Sequence, residues 1–164
     1  MNDYAKTILW SIGLVLAQVV LFNHLQLAYV INVFPYIFVV LAFPNRMSLI
    51  ARTIVGFLLG FAIDLLCGIS GIHAVATTLM AYLQPVILRL IALPEHTDRG
   101  MPSLNVMHGK FVTYAAIIIV LHNLLLFGLE TFDITLWYWV LLKTLVSSVI
   151  TLLIVLLFDR INNA

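Results

Sequence analysis

LIARTIVGFLLGFAIDLLC (Leu49–Cys67) is followed, after Gly68–Gly71, by IHAVATTLMAYLQPVILRLIAL (Ile72–Leu93). Each run holds close to the roughly 20 mainly apolar residues that a helix needs to cross a hydrocarbon core. The join is long enough only for a turn, and its two glycines suit one. The stretch reads as two antiparallel spanning helices.

The rest of the chain repeats the pattern. Tyr4–Phe22, Leu27–Phe43, Phe111–Leu129 and Leu136–Phe158 are further apolar runs, separated by short segments that are polar or carry Gly and Pro. The expectation is an all-α polytopic membrane protein, residues 1–164 forming one bundle of six spans. The second span holds Asn32 and Pro35, and Pro35 should kink that helix or begin its well-formed part. Composition agrees: 63% of residues are hydrophobic and 9% charged, against about a quarter charged in soluble domains. A net charge of +1 offers no basic stripe for nucleic acid, so the expected surroundings are the lipid bilayer. With Cys67 as the only cysteine, neither an intrachain disulfide nor a cysteine metal site can form. Lys6 and the run from Ile8 to Phe22 read as a retained signal anchor, because no small-x-small cleavage site follows.

Basic residues set the expected orientation. Lys6, Arg46, Arg52, Arg89, Arg99, Lys110 and Arg160 all fall on one side, so seven of the eight mark the cytoplasm and both termini lie inside. Trp10, Trp137 and Trp139 stand near span ends, as an aromatic belt requires.

Two charges lie within spans, where their cost makes them functional suspects. Asp64 on the third span and Lys143 on the sixth both come out roughly 10 Å below the outer surface of a core about 30 Å thick. Equal depth and opposite sign point to an Asp64–Lys143 pair that locks two helices. Proton relay, and Lys143 snorkelling outward unpaired, are the other readings.

Gly56, Gly60 and Asp64 recur at intervals of four and share one face. Such a Gly-x-x-x-Gly face admits a close neighbour, either a helix of the same bundle or a docking helix of another protein. His73, Thr77 and Gln84 on span four, and Lys143, Ser147 and Thr151 on span six, form polar stripes that can bond across helices. His122 and Asn123 read as an interhelical hydrogen-bonding pair. His73, His96, His108 and His122 are scattered, with no metal-binding spacing, so neither a metal nor another cofactor is expected. Gly68-Ile-Ser70-Gly71 matches the Gly-x-Ser-Gly string of intramembrane serine proteases, but no histidine base lies on the last span. A tight outer turn explains it, and the expectation is no enzyme. The loop Pro94–Lys110, with Glu95, Asp98 and Arg99, is a mixed-charge surface segment.

The run from Gly56 through Asp64, Gly68 and His73 to Ala76 resembles the MreD family of rod shape-determining membrane proteins. In that family a glycine-spaced helix ends in an acid, and a glycine turn leads to a Gly-x-His-Ala helix start. Gln18, Asn23, Asn32 and Pro35 also agree, as do length and six spans; Gln84–Pro85 departs, standing where relatives often place Arg before the proline. The resemblance implies a non-enzymatic scaffold of the elongasome in the bacterial cytoplasmic membrane, supporting lateral peptidoglycan synthesis and rod cell shape. It implies direct binding of MreC, with RodA and PBP2 in the same complex and MreB beneath it. Gly56 and Gly60 are then the expected packing face for the partner helix. The fold is similar to the S-components of vitamin transporters, so a small-molecule-binding transporter subunit is the alternative.

Overall fold

The computed structural model describes residues 9, 12–22, 32–69, 71–92, 100–131 and 134–162, and all regular structure among them is helical. Helix α1 covers residues 12–17 and runs into a π-helical turn, Gln18–Phe22. Short helices α2 (Ile37–Leu41) and α5 (Leu104–Met107) punctuate four long ones: α3 (Leu49–Cys67), α4 (Ile72–Ile91), α6 (Gly109–Glu130) and α7 (Trp137–Asn162). These four are long and apolar enough to cross a membrane. The protein is thus an all-α, multi-pass membrane protein.

Local chemistry sets the ends of α3 and α4. Ser48 caps α3 by accepting a hydrogen bond from the Ala51 amide at 3.2 Å. Gly68 ends it in the left-handed region, at φ 67°, and Gly71 opens α4 at φ 85°. A side chain at either position would strain that backbone. The result is a tight helical hairpin in which α3 lies directly along α4. A second hairpin, α6 with α7, closes on the first through an α4–α6 contact.

The glycine stripe sets the closeness of the first hairpin. A Cβ on Gly56 would stand 2.5 Å from the Ala81 Cβ. One on Gly60 would run into the backbone of His73 and Ala74, 2.6 Å from the Ala74 Cα. The expected docking of a foreign helix on Gly56 and Gly60 is therefore overturned: α4 of the same chain fills that face. The physical reason is local. A four-residue turn returns α4 onto α3 at once, and the smallest side chains let the two backbones meet.

The described part of the second expected span departs from a spanning helix. Residues 32–34 are irregular, and only the five residues of α2 form a helix after Pro35. Val33, Phe34 and every residue from Tyr36 to Phe43 are buried. The segment is a plug through the middle of the bundle, apolar on all sides because protein surrounds it. Outside, Ile54, Phe57, Leu58, Phe61 and Leu65 on α3, and Leu141, Leu145, Val149 and Leu153 on α7, form exposed apolar faces suited to lipid. Trp137, Tyr138 and Trp139 are exposed together where α7 begins, as interfacial aromatics are.

Gly60→Ala should lower stability by about 1–3 kcal/mol through overpacking against backbone, read as a lower unfolding temperature in detergent. Gly128→Ala is the control, since its Cβ would meet only the Trp137 ring at 3.8 Å. Equal stability of the two variants would show that the α3–α4 spacing is not set at Gly60.

Candidate functional site

Asp64 is buried, at 3% exposure, near the end of α3. Its carboxylate turns across the hairpin to the start of α4. There the His73 amide donates to Oδ1 at 3.2 Å and the Ala74 amide to Oδ2 at 2.8 Å. Gly71, the residue at the cap position, has no side chain to offer, so the preceding helix supplies the acceptor for two of the orphan donors. The carboxylate also lies at the positive end of the α4 dipole. His73 Nδ1, 2.9 Å from Oδ1, completes the cluster.

Lys143 takes no part. The expected Asp64–Lys143 pair is not formed: Asp64 is already engaged by α4, and the Lys143 ammonium lies over the Phe127 ring, 5.9 Å from its centroid. Asp64 turns to α4, whereas Lys143 lies over Phe127 of α6. A helix terminus nine residues away in sequence satisfies the acid without a long side chain crossing the bundle.

The remaining polar residues serve the plug. The Asn32 amide donates to Ser147 Oγ at 3.1 Å and the Phe34 amide to Thr151 Oγ at 3.3 Å, both on α7. Gln18 Nε2 donates to the Val33 carbonyl at 3.2 Å, and the Tyr114 hydroxyl to the Leu41 carbonyl at 3.1 Å. Irregular backbone within a bilayer survives only where protein or water satisfies it, and here three helical segments supply the partners.

Tyr36 and His122 begin a second chain. The Tyr36 hydroxyl lies 2.8 Å from His122 Nε2, His122 Nδ1 lies 3.1 Å from Asn123 Oδ1, and Asn123 Nδ2 donates to Ser148 Oγ at 3.0 Å. A neutral imidazole protonated at Nδ1 fits every link: Tyr36 donates to it, and it donates to Asn123. Phe34 stands between the two histidines, its ring centroid 5.9 Å from that of His73 and 5.8 Å from that of His122. Thr77 is buried against Gly56 and beside Tyr36. His73, Thr77, Gln84, His122, Asn123 and Ser147 are all buried between helices. His96 and Ser70 lie outside the described residues. Among the described residues, no three of His, Cys, Asp and Glu gather as a metal site would require.

At the opposite end of the α3–α4 hairpin stands Arg52, which the sequence had placed beside a loop. It is 3% exposed. Its guanidinium donates to the carbonyls of Met47 at 2.9 Å, Pro44 at 2.7 Å and Asn45 at 3.0 Å, and to Gln84 Oε1. Gln84 passes the connection on, donating to the Tyr114 hydroxyl at 2.8 Å. Asp159 near the end of α7 is a further buried acid, accepting from the Leu104 amide at 2.9 Å. The signal for Arg52 was its position, one turn inside an apolar helix. Tyr36 and Tyr114 carried none, since tyrosines in apolar runs are common at membrane interfaces.

Asp64→Ala leaves two buried amides without an acceptor, at about 1–3 kcal/mol each. A clear loss of thermal stability in detergent is expected, whereas Lys143→Met should leave it within about 0.5 kcal/mol. Equal losses from the two variants would restore the ion pair. Ser147→Ala combined with Thr151→Val should destabilise by about 1–2 kcal/mol, using the average membrane hydrogen bond of about 0.6 as the lower bound for each. Hydrogen exchange at Asn32 and Phe34 should rise with it, and unchanged protection there would separate these hydroxyls from the plug.

Compared with known proteins, the chain matches no family model, no curated protein and no solved structure.

Proposed function

We propose that this protein is a non-enzymatic membrane scaffold of the MreD type. In this reading it sits in a bacterial cytoplasmic membrane, binds MreC directly, and holds RodA and PBP2 in one assembly for lateral wall synthesis. One observation carries the proposal: the central polar side chains Asp64, Gln84, His122, Asn123, Ser147 and Thr151 are engaged with each other and with backbone. Both ring nitrogens of His122 are engaged, as are both carboxylate oxygens of Asp64. An interior so committed holds a shape, and it leaves the outer faces for contact. The Gly56–Tyr82 stretch, on which the family resemblance rests, is the hairpin whose close contact and cap organise that interior. Since α4 occupies the glycine face, a partner helix has to pack on the outer apolar faces, such as that of α3, where Phe57 and Phe61 stack at 5.6 Å.

Affinity purification of the tagged protein from native membranes in mild detergent, followed by mass spectrometry, tests this. Enrichment of MreC, with RodA and PBP2 behind it, is the expected result. Recovery of ATPase subunits with a bound small molecule would sink the scaffold and make the protein a transporter component.

A further inference from the structure

Arg52 carries a buried positive charge, and every acceptor it meets among the described residues is neutral. Carbonyl oxygens take four of its five N–H groups, but they do not balance its charge. The surroundings make the imbalance worse. Arg89, near the end of α4, is close enough for the two guanidinium groups to repel one another. Arg46, in the turn before α3, lines the same space. Together the three arginines border a cleft of about 540 Å³ between the start of α3 and the end of α4. No carboxylate lines it among the described residues. Arg46 and Arg89 are exposed and make no hydrogen bond or ion pair among those residues.

The cleft is not polar throughout. Leu49, Tyr82, Pro85 and Val86 form its other wall, and Tyr82 and Val86 are themselves exposed on the outer surface of α4. The wall therefore runs from an arginine-lined mouth directly onto the apolar exterior. A ligand complementary to both parts has an anionic head and a hydrocarbon tail.

We propose that this cleft binds the phosphate-bearing headgroup of an anionic membrane phospholipid. Arg46 and Arg89 take the phosphate oxygens, since planar guanidinium donors match that geometry. Arg52, fixed by its carbonyls, supplies charge from the floor. An acyl chain lies along Tyr82 and Val86. Basic pockets between helices near the membrane surface are suited to such headgroups, where each basic residue adds attraction to an anionic lipid. The site does not depend on the scaffold reading, because it rests on the α3–α4 hairpin and the turn before it.

The test uses the full chain in detergent, with dioleoyl phosphatidylglycerol, dioleoyl phosphatidylethanolamine or inorganic phosphate added. Native mass spectrometry counts bound lipid, and thermal unfolding reads its effect. The phosphatidylglycerol should be retained and should raise the unfolding temperature, while the zwitterionic lipid and phosphate alone should not. Arg46→Gln combined with Arg89→Gln should cut phosphatidylglycerol retention at least tenfold and leave the lipid-free unfolding temperature unchanged. Equal retention of the two lipids, or full retention by the double variant, would overturn the site. So would an equal rise with inorganic phosphate, which would assign the arginines to a soluble anion. Lipid retention that appears only after Glu95→Gln and Asp98→Asn are introduced would also overturn it, because the loop would then be the native counter-charge.

Discussion

The structure depends on one constraint: a largely non-helical stretch of backbone lies buried at the centre of the bundle. Each unsatisfied amide or carbonyl there costs several kcal/mol. Between Asn32 and Asn45 the chain makes only one short helix, so its polar groups need partners from outside. Gln18, Ser147, Thr151, Tyr114 and Arg52 provide them, from α1, α7, α6 and α3. The polar stripes along these helices are thereby explained without a ligand. They face inward because the plug is there, and the spacing of four along α7 is the spacing its backbone needs.

Asp64 shows how a costly group in a membrane acquires its partner. The nearest strong complement is the start of α4, where amides point outward from the helix and the dipole is positive. Reaching it takes only a turn. Pairing with Lys143 would instead require two side chains from non-adjacent elements to meet at one point, at an entropic cost in a flexible lysine. The local solution prevails, and the lysine rests on an aromatic face. Gly60 is the other half of the arrangement. If α3 stood farther from α4, the carboxylate would not reach both amides at 2.8 and 3.2 Å. The glycine contact and the acid cap are thus one device, which gives the spacing of Gly56, Gly60 and Asp64 a single physical meaning.

Much of this was legible in the residues. The limits of α3 fall at Leu49 and Cys67, as apolar run and flanking glycine indicated, because burial in lipid and turn geometry are both local properties. The inward-facing stripes were legible for the same reason. The structure of the plug was not. An apolar run with one proline reads as a span by composition, and only its surroundings decide that protein rather than lipid covers it. The Asp64–Lys143 pairing is not formed because Asp64 finds its partners on α4, nine residues on in sequence. The role of Arg52 was hidden by the assumption that a basic residue near a span end faces the water. Arg52 reaches across to Gln84 of the neighbouring helix instead.

The two ends of the α3–α4 hairpin solve the same problem unequally. At one end the carboxylate of Asp64 meets two amides, a helix dipole and the His73 ring nitrogen, all supplied within the chain. At the other end Arg52 has four of its five donors taken by oxygens and its charge answered by none of them. Satisfying donors and neutralising charge are separate requirements, since a carbonyl meets the first and only an anion meets the second. A hairpin buried wholly inside protein would have to supply that anion itself. At a membrane surface the bilayer can supply it, through the phosphates of anionic lipids. The asymmetry of the hairpin is then a consequence of its surroundings: the acid end is closed by protein, and the basic end is left to be completed by lipid.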